Sequence, residues 1–164
     1  MRILKVSFLI FLLFFTSSFL FFKKEAIACE AIHFAGFDEI YPDVYADPSL
    51  TNEQRLSLKH AIHQAYERVA QIYGVTKSAP RIIATQNLEY KKFGLNPTGM
   101  QNSGFLRECI FLGPKGLNVD VIAHELVHAE LRYRTDFFVE HTELPAWFIE
   151  GTGIKVDYRA PFLI

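Results

Sequence analysis

Cysteine and tryptophan are scarce here, and basic charge is thin over most of the chain. The 164 residues include two Cys and one Trp, with 17 Lys+Arg against 18 Asp+Glu. Two cysteines cannot build a multi-disulfide scaffold, and neither has a second Cys or His at zinc-finger spacing. No internal repeat or low-complexity tract follows residue 28. Arg2, Lys5, Lys23 and Lys24 are the only charges before Glu25, so residues 25–164 carry 13 basic and 18 acidic side chains, a net of −5. A mildly acidic domain without a basic stripe is a poor polyanion binder, so nucleic acid is not an expected partner. About 140 residues can still bury a sizeable core without staples, which excludes a disordered chain.

Only one long hydrophobic run is present. Val6 to Phe22 is 17 residues without a charge, and seven of the 16 Phe lie in the first 22 residues. This run is an export or membrane signal and stays out of fold reasoning. Two readings are open: a signal peptide cut after Ala26-Ile27-Ala28, or an uncleaved signal anchor at the lower edge of a helical span. Cys29 directly after that triplet also suggests a lipoprotein site. The division is therefore 1–28 as leader and 29–164 as the domain. Each version sends residues 30–164 across a membrane into the envelope or beyond, with membrane contact through residues 6–22 if they are retained. In an exported chain Cys29 and Cys109 either pair or remain two free thiols.

Residues 30–50, with Pro42 and Pro48, read as irregular. Thr51 and Gln54 form a capping box ahead of a helix. Leu58, Ile62, Ala65, Tyr66, Val69, Ile72 and Tyr73 follow at helical spacing, and Gly74 ends it. His60 and His63 fall on the opposite, solvated face with Lys59 and Glu67. Arg81–Thr85 reads as a short strand. Residues 87–104 read as a loop on account of Gly94, Pro97, Gly99 and Gly104. Phe105–Leu112 reads as a second strand closed by Gly113-Pro114. Asn118 caps a helix from Val119 to about Tyr133, residues 134–143 connect, and Pro145 opens a last helix carrying Trp147, Phe148 and Glu150.

The helix from Val119 contains His124-Glu125-Leu126-Val127-His128. Residues four apart lie one above the other on a helix face, so both imidazoles can reach one Zn²⁺. Glu125 lies about 100° around the helix from His124, beside the metal rather than on it. Val121, Ile122, Leu126, Val127 and Leu131 surround the motif and make this helix internal. Two buried His and a buried Glu are costly unless each is paired, and a divalent cation partners all three. A catalytic zinc takes three protein ligands and keeps one position open. Glu150, 22 residues after His128, is the candidate third ligand. Gly151 and Gly153 next to it would let two helices approach closely.

HELVH followed by WFIEG resembles the gluzincin zinc metallopeptidases, the thermolysin-like and peptidase MA-like superfamily, over roughly residues 80–158. The resemblance implies a hydrolase with one Zn²⁺ per chain, held by His124, His128 and Glu150, with Glu125 as catalytic base and a peptide or protein as substrate. It also implies that Gly104–Leu112 is the edge strand that pairs with the substrate backbone. Gly99-Met100-Gln101-Asn102 resembles a substrate-binding motif of membrane alanyl aminopeptidases, and no role is carried over from it. Many gluzincins orient a zinc histidine with an Asp shortly after the ligand Glu. Gly153 and Ile154 stand there in this chain, and Asp157 comes later. With the chain ending at Ile164, the large carboxy-terminal lobe of the thermolysin-like enzymes is expected to be missing. Tyr158, Tyr133 and His141 are the substitutes for its transition-state donors. The expected fold is α+β, a minimal zincin-like domain. A small, mainly antiparallel sheet packs on the Thr51-capped helix and the HExxH helix, and the Glu150 helix closes the cleft. Two other function classes fit the same residues: a zinc-stabilised envelope binding module without hydrolase activity, and a metal-free interaction protein.

Overall fold

The structure, a computed structural model, describes residues 24–87, 96–104 and 106–160, apart from the side chains of residues 103, 136–138, 140 and 141. The apolar run of residues 6–22 lies outside the described residues. Among those described, no helix is long and apolar enough to cross a membrane.

Helix α1 (Lys24–Ala31) runs into a 3₁₀ turn at Ile32–Phe34, then strands β1 (Asp38–Tyr41) and β2 (Val44–Ala46) form a hairpin. Helix α2 spans Asn52–Tyr73 and strand β3 spans Arg81–Ala84. Strands β4 (Gly99–Ser103) and β5 (Glu108–Leu112) make a second hairpin, followed by helices α3 (Val119–Thr142) and α4 (Ala146–Ile154).

The class is α+β as expected, but the sheet is mixed rather than mainly antiparallel. Its order is β1-β2-β3-β5-β4. The two hairpins are antiparallel, whereas β2 with β3 and β3 with β5 are parallel. The physical cause lies in the connections. Helix α2 carries the chain back between β2 and β3, and a strand–helix–strand crossover makes its strands parallel. Pairing with β3 on one side and with β4 on the other puts β5 inside the sheet. The edge position expected of Gly104–Leu112 therefore belongs to β4, which the glycines and Pro97 had disguised as loop.

Both faces of the sheet are covered, so alternate residues enter two different cores. Ile82, Ile110 and Leu112 pack with Leu58, Ile62 and Val69 of α2 and with Ile122 and Leu126 of α3. Ile83, Cys109 and Phe111 turn the other way, onto Cys29, Ile32, Phe37 and Tyr45. Two buried faces explain why β3 and β5 read as unbroken apolar runs. A disulfide joins Cys29 of α1 to Cys109 of β5 and encloses a separation of 80 residues. With its sulfur in that bond, Cys29 has no thiol for acylation.

Helix α2 has the expected box: the Gln54 amide donates to Thr51 Oγ1 at 3.2 Å, and the Thr51 amide donates to Gln54 Oε1 at 2.8 Å. His60 and His63 are exposed, and His63 Nε2 lies 3.5 Å from Glu67 Oε1 one turn on. Helix α3 is longer than its motif suggested and absorbs most of residues 134–143. Neither Gly nor Pro interrupts it before Pro145, and Glu130 accepts from Arg134 Nε at 2.7 Å across one turn.

Candidate metal centre

Asn118 starts α3 with its side chain on the Val121 amide at 3.1 Å, which sets the register of the motif. His124, Glu125 and His128 are each 8% exposed and face the space between α3, α4 and β4. From α4, Glu150 reaches across. Its Oε2 lies 3.5 Å from His124 Nε2 and 3.8 Å from His128 Nε2. One ligand atom from each of the three falls within 4.8 Å of the others, so these residues form a group that can hold a metal ion. With bonds of about 2.0–2.1 Å, a tetrahedral zinc sets its ligand atoms about 3.3–3.4 Å apart, and the two His–Glu150 separations of 3.5 and 3.8 Å lie near that spacing. Among the described residues no other such group occurs.

The chemistry of the donors fits a cation as well as the distances do. Asp157 is 1% exposed, and its Oδ2 approaches His124 Nδ1 at 3.3 Å, too oblique for a hydrogen bond. A carboxylate there favours the ring tautomer protonated at Nδ1, which leaves a lone pair on Nε2. That lone pair faces the Glu150 carboxylate, so two acceptors confront each other. A shared cation resolves the conflict. Burial and the neighbouring His124 push the His128 pKa down, to about 4, against the opposing pull of Glu150, so that this ring is neutral at pH 7.

Sequence spacing alone left Asp157 without a role. The structure supplies one because α4 stops at Ile154 and the chain bends. The Val156 amide donates to Gly153 O at 3.1 Å and the Asp157 amide to Ile154 O at 3.2 Å. Arg68 of α2 pins the bend, donating to Asp120 Oδ1 at 2.5 Å and to Val156 O at 2.9 Å. Arg159 then grips Asp157, with Nε 2.8 Å from Oδ1 and Nη2 on Oδ2. Of the two glycines expected to admit close packing, only Gly153 does so. A Cβ there would sit 2.7 Å from His124 Cε1, whereas one on Gly151 meets nothing within 4 Å.

Glu125 is beside the triad and not part of it. Burial pushes its carboxyl up to about 7, with Glu150 and Asp157 adding to the rise and the Gln101 amide and Arg159 opposing it. Gly99 lets β4 come this close, since a Cβ would lie 2.6 Å from Val121 Cγ1 and 3.1 Å from Glu125 Oε1. The result is a cleft of about 450 Å³ lined by Thr98, Gly99, Met100 and Gln101 on one side and by the triad, Glu125, Ile149 and Arg159 on the other.

Of the three side chains considered as transition-state donors, neither tyrosine lines the cleft. Tyr158 is half exposed and lies against the Arg68 guanidinium, 4.4 Å from Cζ to ring centroid. Tyr133 is 59% exposed on α3 and does not line the cleft. The His141 side chain lies outside the described residues. Arg159, which the sequence reading passed over, does line it. The chain matches no known protein family, no curated protein and no solved structure.

Proposed function

We propose that this protein is a zinc-dependent peptidase of the gluzincin kind, exported across a membrane and acting on peptide bonds in the cleft between β4 and α3. One observation carries the reading: two imidazole nitrogens and a carboxylate converge on one point, and a fourth group, the buried Glu125 carboxyl, stands beside that point without joining it. His124, His128 and Glu150 would hold one Zn²⁺ per chain. A zinc ion supplies Lewis-acid polarisation of a carbonyl and acidification of water.

The rest is the work of the chain's own residues. Glu125 takes a proton from water as the water oxygen adds to the scissile carbonyl carbon. It returns that proton to the leaving nitrogen as the C–N bond breaks. A carboxyl group with its pKa near the working pH suits both halves of that exchange. Asp157 keeps His124 in the tautomer that offers Nε2 outward. The β4 edge presents backbone groups to an extended peptide, and Gly99, Met100 and Gln101 line the cleft at that edge.

The test is cleavage of a broad peptide library by the zinc-loaded full chain, alongside Glu125→Gln. Zinc content should stay unchanged in the variant while turnover falls about 10²–10⁴-fold, the usual share of a general base. A Glu125→Gln protein as active as the wild type would refute this mechanism.

A further inference from the structure

An acyl-transfer site needs hydrogen-bond donors aimed at the carbonyl oxygen as it gains charge. We propose that Arg159 is that donor, its guanidinium braced by Asp157 at the cleft wall and hydrogen-bonded to the scissile carbonyl oxygen as it becomes an oxyanion. The inference deepens the hydrolase reading above and rests on it.

Three observations carry it. Arg159 lines the same cleft as Glu125 and the three candidate ligands. It is held there by a fork: Nε and Nη2 both bond the Asp157 carboxylate, itself fully buried. A planar guanidinium gripped along one edge keeps a fixed orientation, which a lysine ammonium would not. The backbone that carries it is fixed too, since Arg68 and Asp120 tie down Val156 and Tyr158 on either side of Asp157. The step balances. The water oxygen bonds to the carbonyl carbon and its proton passes to Glu125. The C=O π pair moves onto oxygen, where Arg159 N–H groups meet it. When that pair returns, the C–N bond breaks and the Glu125 proton goes to nitrogen.

The experiment uses the zinc-loaded full chain and its Arg159→Ala and Arg159→Lys variants, with two binding probes besides turnover. Acetohydroxamate chelates a metal and needs no such donor. A phosphinic dipeptide mimics the tetrahedral species. In both variants acetohydroxamate affinity should stay within about twofold, while phosphinic dipeptide affinity and kcat should each fall about 10²–10³-fold, with Arg159→Lys recovering only part and KM nearly constant. Phosphinic binding as tight as wild type would overturn the proposal. So would parallel loss of both probes, which would make Arg159 only a prop for Asp157. A wild-type protein that binds neither probe would sink the metal-hydrolase reading and this inference with it.

Discussion

Gly153 has no side chain where α4 crosses the His124 ring, and the space it leaves is what lets Glu150 reach the same point as the two imidazoles. Gly153→Ala should therefore push the ring aside and weaken zinc binding about 10–100-fold, the range typical of disturbing a ligand's support. Gly151→Ala, with open space around it, should leave affinity unchanged. Zinc titration against a competing chelator separates the two. Asp157→Asn should weaken zinc to the same degree as Gly153→Ala, because it loses the charge that fixes the His124 tautomer. Equal affinities for all of these proteins would contradict the geometry. At this scale the sequence was most informative where a helix fixes the spacing: His124, Glu125 and His128 needed only the 3.6-residue repeat. Glu150 needed a motif on a second helix. Asp157 and Arg159 depend on a bend after that helix, whose direction is set by Arg68 some ninety residues earlier, and no local pattern encodes that.

Elements follow the same division. Helix α2 was legible from its capping box, and both of its reciprocal bonds are present. Thr51→Ala should cost about 1 kcal/mol in denaturant unfolding, a typical N-cap loss. Strands β1, β2 and β4 were not legible. Each is three to five residues long, and Pro42, Gly99 and Gly104 sit in or beside them, so turn chemistry masked the strand signal. Asp43, at φ 57° in the β1–β2 turn, is of a residue type that tolerates the left-handed region, and it also accepts from Arg81 and Arg107. The Cys29–Cys109 bond was one of two open readings. It ties α1 to β5, the neighbour of the cleft strand β4. Replacing both cysteines with Ser should lower stability by about 2–5 kcal/mol in urea unfolding. A double variant as stable as the wild type would show that the bond constrains nothing.

Considered as a whole molecule, the fold places the site where three layers meet: β4 at the sheet edge, α3 beneath it, and α4 returning across α3. Its stability should have an acid limb with a traceable origin. Burial pushes the Asp47 carboxyl up, but hydrogen bonds from Thr85 and the Ser49 amide outweigh this and leave its pKa below the ordinary value. A group depressed by folding stabilises the native state fully above its unfolded pKa, about 3.9, and loses that contribution as pH falls through the folded value. Tm should therefore drop as pH falls below about 4, and Asp47→Ala should flatten that drop while lowering Tm at neutral pH. An unchanged acid limb in the variant would assign it to other carboxylates. Whether His124, His128 and Glu150 share one cation is decided by X-ray absorption at the zinc edge. One zinc per chain is expected, with two imidazole nitrogens and a carboxylate oxygen near 2.0–2.1 Å, the carboxylate contribution vanishing in Glu150→Ala. A wild-type chain that takes up no zinc, or an unchanged zinc spectrum in Glu150→Ala, would contradict it.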